Sequence, residues 1–230
     1  MKIRISFLGS VCRFGRLLLA LFLLCTCGLM ALAGLGFHSG ILAFGDVDIN
    51  LITGGETSPK VTQSTSAVWG HNQTVVVVYE DSSGSALVPA SYCGVSTSTN
   101  GGASFTRSPY KFNTGGACNG QPSVFYSVRA GRWFASFLAG RCGGNGVGLW
   151  TSPDGVNWAN GSCAFVSSAA YLNSIWVDNN PASPFYGRQY AAFNDFNVGG
   201  GAPRVARSID DGVTWSTSAP LFGGFRRAVK

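Results

Sequence analysis

Metal-ligating residues are scarce in this sequence. Two histidines, His38 and His71, are all it holds, and no C-x-x-C spacing occurs after residue 33. A structural zinc site takes four closely spaced Cys or His ligands, so no metal is expected, and no cofactor motif is present either. Basic clusters are also lacking on the central part of the chain. Lys2, Arg4, Arg13 and Arg16 precede residue 17, and Arg226, Arg227 and Lys230 lie at the extreme C-terminus. With the first four set aside, twelve basic residues face ten acidic ones, a balance of +2. A nucleic-acid partner needs cations gathered on a folded face, so that class of partner is excluded. Past residue 33 no apolar stripe with a 3.6-residue period appears, which excludes a helical core.

What is present begins with an export signature. The four early basic residues are followed by an apolar run from Leu17 to about Leu32, and Ala31-Leu32-Ala33 offers an A-x-A cleavage site. A basic flank, a hydrophobic helix and small residues at the cut read as a secretory signal over residues 1–33. The alternative is an uncleaved anchor, since Leu17 to Gly36 is 20 residues, long enough to span a bilayer. Leu24 and Thr26 disfavour lipidation at Cys25 or Cys27. A secreted, periplasmic or cell-surface location follows, with membrane contact only through this segment. Taking 33 residues from 230 leaves 197, enough for one domain with a real core. Residues 34–60 read as a linker or first strand, and 61–230 as the folded part.

Three cysteines, Cys12, Cys25 and Cys27, belong to the signal region, and four, Cys93, Cys118, Cys142 and Cys163, to the exported part. An even number in an oxidising compartment predicts two disulfides, with three connectivities open.

Internal similarity then organises the chain. "STNGGASF" (98–105), "SPDGVNW" (152–158) and "SIDDGVTW" (208–215) resemble one another, and their closing aromatics are 53 and 57 residues apart. Ahead of the first come "TSAVW" (65–69), "QTVVVVYED" (73–81) and "YCGVSTS" (92–98). Ahead of the second come "QPSVFYSV" (121–128), "RWFASFL" (132–138) and "GVGLWTS" (146–152). Ahead of the third come "NSIWVD" (173–178), "RQYAAFND" (188–195) and "RVARS" (204–208). Short runs rich in Val, Phe, Tyr and Trp, separated by Gly, Asn or Pro, are strands and turns. "SVRAGRW" predicts a hairpin with Ala130-Gly131 at its tip. Each repeat is a four-stranded antiparallel meander, A-B-C-D, which is one blade of a β-propeller. The all-β prediction is three blades, about 61–117, 118–170 and 171–222. Three blades do not close a ring, so missing C-terminal blades or self-association are expected.

The repeated motif falls at the C–D hairpin. Its Asp or Asn accepts backbone N–H groups across the turn, its Gly takes a positive φ, and its closing aromatic packs into the blade. The spacing S-x-D-x-G-x-T-W resembles the Asp-box, or BNR repeat, of sialidase-like propellers. Ser208, Asp210, Gly212, Thr214 and Trp215 match it in full. Ser98, Asn100, Gly102, Ser104 and Phe105 match with conservative changes, and Ser152, Asp154, Gly155 and Trp158 form a copy one residue shorter. The resemblance implies that the box is structural and far from any catalytic centre, so the paired acids Asp210 and Asp211 belong to a turn.

B–C and C–D connections lie at opposite ends of a meander. The long, Gly-rich B–C loops at 81–91, 139–146 and 195–203 therefore form the end where binding residues are expected. Glu80, Asp81, Arg141 and Asp195 fall at matching positions there, as weak site candidates whose bland reading is solvated charge at strand ends. Cys93 and Cys142 lie at or just before a strand C, and Cys118 and Cys163 follow the strand D of the same blade, so pairing within each blade is expected. Sialidase chemistry implies an arginine cluster, a Tyr-Glu nucleophile and an aspartate acid/base, announced by an early F/Y-R-I-P segment. This sequence has none, and "APRVAR" (202–207) is only superficially similar. The expectation is an exported sialidase-like protein acting on or binding extracellular glycans, a glycoside hydrolase of exo-α-sialidase type if an enzyme at all. A lectin-like, protein-interaction or structural envelope propeller is the alternative.

Overall fold

The computed structural model describes residues 62–224. The segments read as signal and linker, with His38, Cys12, Cys25 and Cys27, and the C-terminal Arg226, Arg227 and Lys230 lie outside the described residues. Three four-stranded antiparallel sheets follow one another. The first holds β1 (Gln63–His71), β2 (Thr74–Gly84), β3 (Ser91–Ser98) and β4 (Thr106–Arg107). The second holds β5 (Ser123–Ser127), β6 (Arg132–Ala139), β7 (Gly146–Ser152) and β8 (Ala159–Phe165). The third holds β9 (Ala170–Val177), β10 (Gln189–Asp195), β11 (Ala202–Ser208) and β12 (Ser216–Thr217). Among the described residues there is no α-helix, only a 3₁₀ turn at Gly140–Cys142, and no sheet closes on itself.

Alternation along each strand decides how the sheets stack. Successive side chains of β6 point to opposite faces. Trp133, Ala135, Phe137 and Ala139 join Val76, Val78 and Val95 in a core between the first and second sheets. Phe134 and Leu138 join Ile175, Val177, Ala191 and Phe193 in a second core, between the second and third. The middle sheet is therefore apolar on both faces, which is why "RWFASFL" reads as a continuous run. Each fully buried aromatic contributes about 2–3 kcal/mol of burial. The first strands lie side by side, β5 touching both β1 and β9. Ser123 Oγ accepts the Ile175 N–H at 3.1 Å, and Asn173 donates to Gln121 O at 2.8 Å. Sheets meeting at their first strands and packing face to face make a propeller-like fan.

The disulfides join Cys93 to Cys118 and Cys142 to Cys163, across 25 and 21 residues. Their setting differs from the expected one in a single respect. Cys163 lies inside β8, not after it, because β8 pairs with β7 through two register shifts and runs on to Phe165. Cys118 bridges both Ser91 and Ala139, so the connection into the second sheet is pinned to the first. A second difference concerns β2, which extends three residues past Asp81 to Gly84. Asp81 is therefore a strand residue and not the start of a loop.

Candidate functional site

The three C–D turns share one hydrogen-bond scheme. In the third, Ser208 Oγ donates to Asp210 Oδ1 at 2.8 Å and accepts the Gly212 N–H at 2.9 Å. Asp210 Oδ1 accepts the Thr214 N–H at 2.9 Å, and Oδ2 accepts the Thr214 hydroxyl at 2.6 Å. The first turn repeats this with Ser98, Asn100, Gly102 and Ser104. In the shorter middle turn Ser152 Oγ accepts the Gly155 N–H, and Asp154 Oδ1 takes the N–H groups of Val156 and Asn157, both at 2.8 Å. At Asp210, hydrogen bonds from the Thr214 hydroxyl and N–H and from Ser208 hold the carboxyl down at about 2. At Asp154 burial pushes the other way, but the bonds from Asn157, Val156 and Ser152 outweigh it and leave the pKa at about 2. Carboxyls held there carry no proton at neutral pH and cannot act as general acids.

The second and third turns also dock on the sheet before them. Gly155 has φ +79, and a Cβ there would meet a Val76 methyl at 2.8 Å; its carbonyl accepts Thr97 Oγ1 at 2.6 Å. Gly212 has φ +80, and a Cβ would meet Phe134 at 2.9 Å; its carbonyl accepts the Ser162 hydroxyl. Trp158 and Trp215 donate their indole N–H groups back to these carbonyls at 3.1 and 3.2 Å. Phe105 carries no such donor, and nothing lies within 4 Å of a Cβ on Gly102.

Register corrects the alignment of the loop-end candidates. The turn serines pair with Val75, Trp133 and Gln189, so the position six residues further on is Asp81, Ala139 and Asp195. Arg141 matches Ser83 and Asn197 instead, and Glu80 matches Leu138 and Asn194. The two equivalent acids share a local geometry. Asp81 Oδ1 accepts the N–H of Ser83 at 2.9 Å, and Asp195 Oδ1 that of Asn197 at 3.1 Å. Both are buried, and both face an arginine of their own sheet. Arg107 donates to Asp81 Oδ2 at 2.6 Å. Arg204 Nε lies 3.1 Å from Asp195 Oδ2, an ion pair whose N–H is not aligned for a hydrogen bond.

Glu80 points to the second sheet, accepting the Gln121 N–H at 3.0 Å, with Ser64 on its other oxygen. Arg141 is caged by carbonyls: it donates to Gly161 O at 3.1 Å and to Leu149 O, and lies 4.6 Å from the Trp150 ring centre. Burial pulls its pKa down, with Tyr110 opposing. Among the described residues no hydrogen bond or ion pair joins any of the four candidates to another.

Sequence reasoning missed the polar cluster around Asp81. Lys111 Nζ stands 3.9 Å from the same Oδ2 and donates to Ser83 Oγ at 3.1 Å. Tyr79, hydrogen-bonded to Ser96 at 3.0 Å, is pushed up to about 12 by burial, against the Ser96 bond and with the Asp81 charge adding. Only the cations flanking a buried strand-end acid hinted at it. Among the described residues no group of three His, Cys, Asp or Glu side chains is placed to hold a metal ion.

No protein-family model and no curated protein matches this sequence. Solved structures do. The α-L-arabinofuranosidase of Fusarium graminearum in complex with an iminosugar inhibitor is 15% identical over 71% of this chain and 49% of its own, with a TM-score of 0.50. A glycosyl hydrolase from Bacteroides ovatus is 16% identical over 73% of this chain and 52% of its own, with a TM-score of 0.47. The fructofuranosidase of Schwanniomyces occidentalis complexed with fructose is 15% identical over 64% of this chain and 29% of its own, with a TM-score of 0.41. The chain spans about half the length of the first two. At such identities the likeness is one of fold alone: an all-β, propeller-like arrangement shared with the arabinofuranosidase.

Proposed function

We propose that this chain is an exported, sialidase-like propeller protein that binds glycans and does not hydrolyse them. In this reading residues 1–33 direct export, 34–60 lead into the fold, and the blades run over about 61–117, 118–170 and 171–222. The three C–D turns are then Asp-boxes, with Asp210 and Asp154 in structural roles.

One observation carries the choice of binding over hydrolysis. Glycoside hydrolysis uses two carboxyl groups flanking one bond, about 5–10 Å apart. The equivalent acids Asp81 and Asp195 are each locked to an arginine of their own sheet, and a whole sheet, with Ala139 at the matching place, stands between them. Glu80 is held by a backbone N–H. Among the described residues, then, each of these three candidate carboxyls is engaged by protein groups of its own surroundings. The hydrolase reading, of exo-α-sialidase type, is supported only by the fold its neighbours share.

The test is a panel of fluorogenic glycosides, including a sialoside and an arabinofuranoside, run beside saccharide binding on the purified full chain. Binding without turnover is expected. Turnover of the sialoside that is abolished by Asp81→Ala or Asp195→Ala, but not by Asp210→Ala, would replace this reading with the hydrolase one.

A further inference from the structure

The seams between the sheets are built on one plan but differ at their outer edges. Counted from the closing aromatic of each turn, Pro109 of the first sheet stands where Ser162 stands in the second. Ser162 Oγ donates to Gly212 O and accepts the Trp215 indole N–H at 3.0 Å, which closes the outer seam between the second and third sheets. Across the first seam Thr97 Oγ1 supplies the bond to the turn carbonyl, donating to Gly155 O at 2.6 Å. But Pro109 has no hydroxyl to take the Trp158 indole N–H, and β4 holds two residues where β8 holds seven. The outer seam between the first and second sheets therefore stays open, as a groove of about 760 Å³.

The chemistry of its walls is specific. Thr99, Thr106 and Tyr110 line it, and among the described residues their hydroxyls make no hydrogen bond to protein. Ser104 and Ser108 accept from Asn100 and from the Tyr110 N–H, at 2.9 and 3.2 Å, which leaves their own O–H groups available to donate. Pro109, Tyr110 and Val156 add apolar surface. The one charged side chain, Arg107, is neutralised by Asp81 at 2.6 Å. A wall of hydroxyls and flat apolar patches without net charge fits a ligand that presents O–H and C–H surface by turns. Its volume falls in the range of small-molecule sites, about 300–1,000 Å³.

We propose that this outer groove binds a neutral oligosaccharide. The assignment deepens the glycan reading, on which its ligand class rests, and places recognition on the outer edge of the first sheet instead of at the B–C loop end.

The experiment uses the full, disulfide-bonded chain with xylohexaose and cellohexaose as neutral probes and a heparin hexasaccharide as the charged one. Affinity is read by calorimetry and contacts by saturation-transfer NMR. Thr106 is exposed, so Thr106→Trp fills the groove without touching a core, and Tyr110→Ala removes one wall. Circular dichroism melts check that both fold. The expected result is binding of a neutral hexasaccharide that Thr106→Trp weakens by about tenfold or more, roughly 1.4 kcal/mol. Neutral binding that survives both variants overturns the groove and leaves the glycan reading standing. Binding of the heparin hexasaccharide alone overturns the groove as well, since its walls offer no uncompensated cation. If no saccharide binds, the groove and the glycan reading both fall.

Discussion

Arg129 Nε donates to Asp211 Oδ1 at 2.8 Å, tying the hairpin tip of the second sheet to the C–D turn of the third. The same guanidinium reaches the carbonyls of Tyr186 and Ile209, each at 3.0 Å. The adjacent acids of "SIDDGVTW" thus have different work. Asp210 closes the turn from within, while Asp211, held at φ +58, faces outward and locks the turn to its neighbour. An exposed ion pair alone contributes under about 1 kcal/mol. Arg129→Ala also leaves two carbonyls without their donor, so a loss of about 1–2 kcal/mol in urea unfolding is expected. Asp211→Asn keeps a residue that tolerates positive φ and should lose less than about 0.5 kcal/mol. Equal losses would show that the charge, not the carbonyl bonds, holds the seam.

Acid should find the turns first. Asp154 and Asp210 stand at about 2 in the fold, below the ordinary aspartate value of about 3.9. Groups with depressed folded pKa values stabilise fully above the unfolded value and lose that contribution as pH falls towards the folded one. Melting temperature is therefore expected to fall between about pH 4 and pH 2. The double variant Asp154→Asn, Asp210→Asn should be less stable at pH 7 and show a flatter acid limb in calorimetry. An unchanged limb would assign the acid sensitivity to other groups.

Two glycines with similar backbones separate strain from packing. Gly102 and Gly212 have φ +95 and +80, but only Gly212 is pressed against a neighbouring sheet, with Gln189 Oε1 at 2.8 Å and Phe134 at 2.9 Å from a built Cβ. Gly102→Ala is expected to cost about 1 kcal/mol, the conformational penalty alone. Gly212→Ala adds a clash with buried groups and should exceed about 2 kcal/mol. Urea midpoints decide between them. A matching pair of values would mean that docking of the turn on Phe134 contributes nothing.

Each disulfide closes a loop of moderate length, and removing either by Cys→Ala pairs should cost about 3 kcal/mol. Non-reducing peptide mapping is expected to return Cys93–Cys118 and Cys142–Cys163. A Cys118–Cys142 link would contradict the packing of the first sheet on the second.

Much of the architecture is local and was legible without coordinates. Val, Phe and Tyr alternate or run together in strands, and a Ser-x-Asp-x-Gly turn satisfies its own backbone within five residues, so neither depends on distant partners. The reach of β8 was not legible. "ANGSCAF" has no clear alternation, and its extent comes from bulged pairing with β7. The loop-end acids were recognised as residues but not in their roles. Asp81 meets Arg107 across 26 residues, and strand register decides whether two such groups face each other or lie on opposite sides of a sheet. The contrast between Pro109 and Ser162 acquires meaning only once two seams lie side by side. Sequence determined which segments are strands and turns because those preferences act over a few residues; register and sheet stacking decided which polar groups are buried together and which seam stays open, because those depend on contacts between residues far apart in the chain.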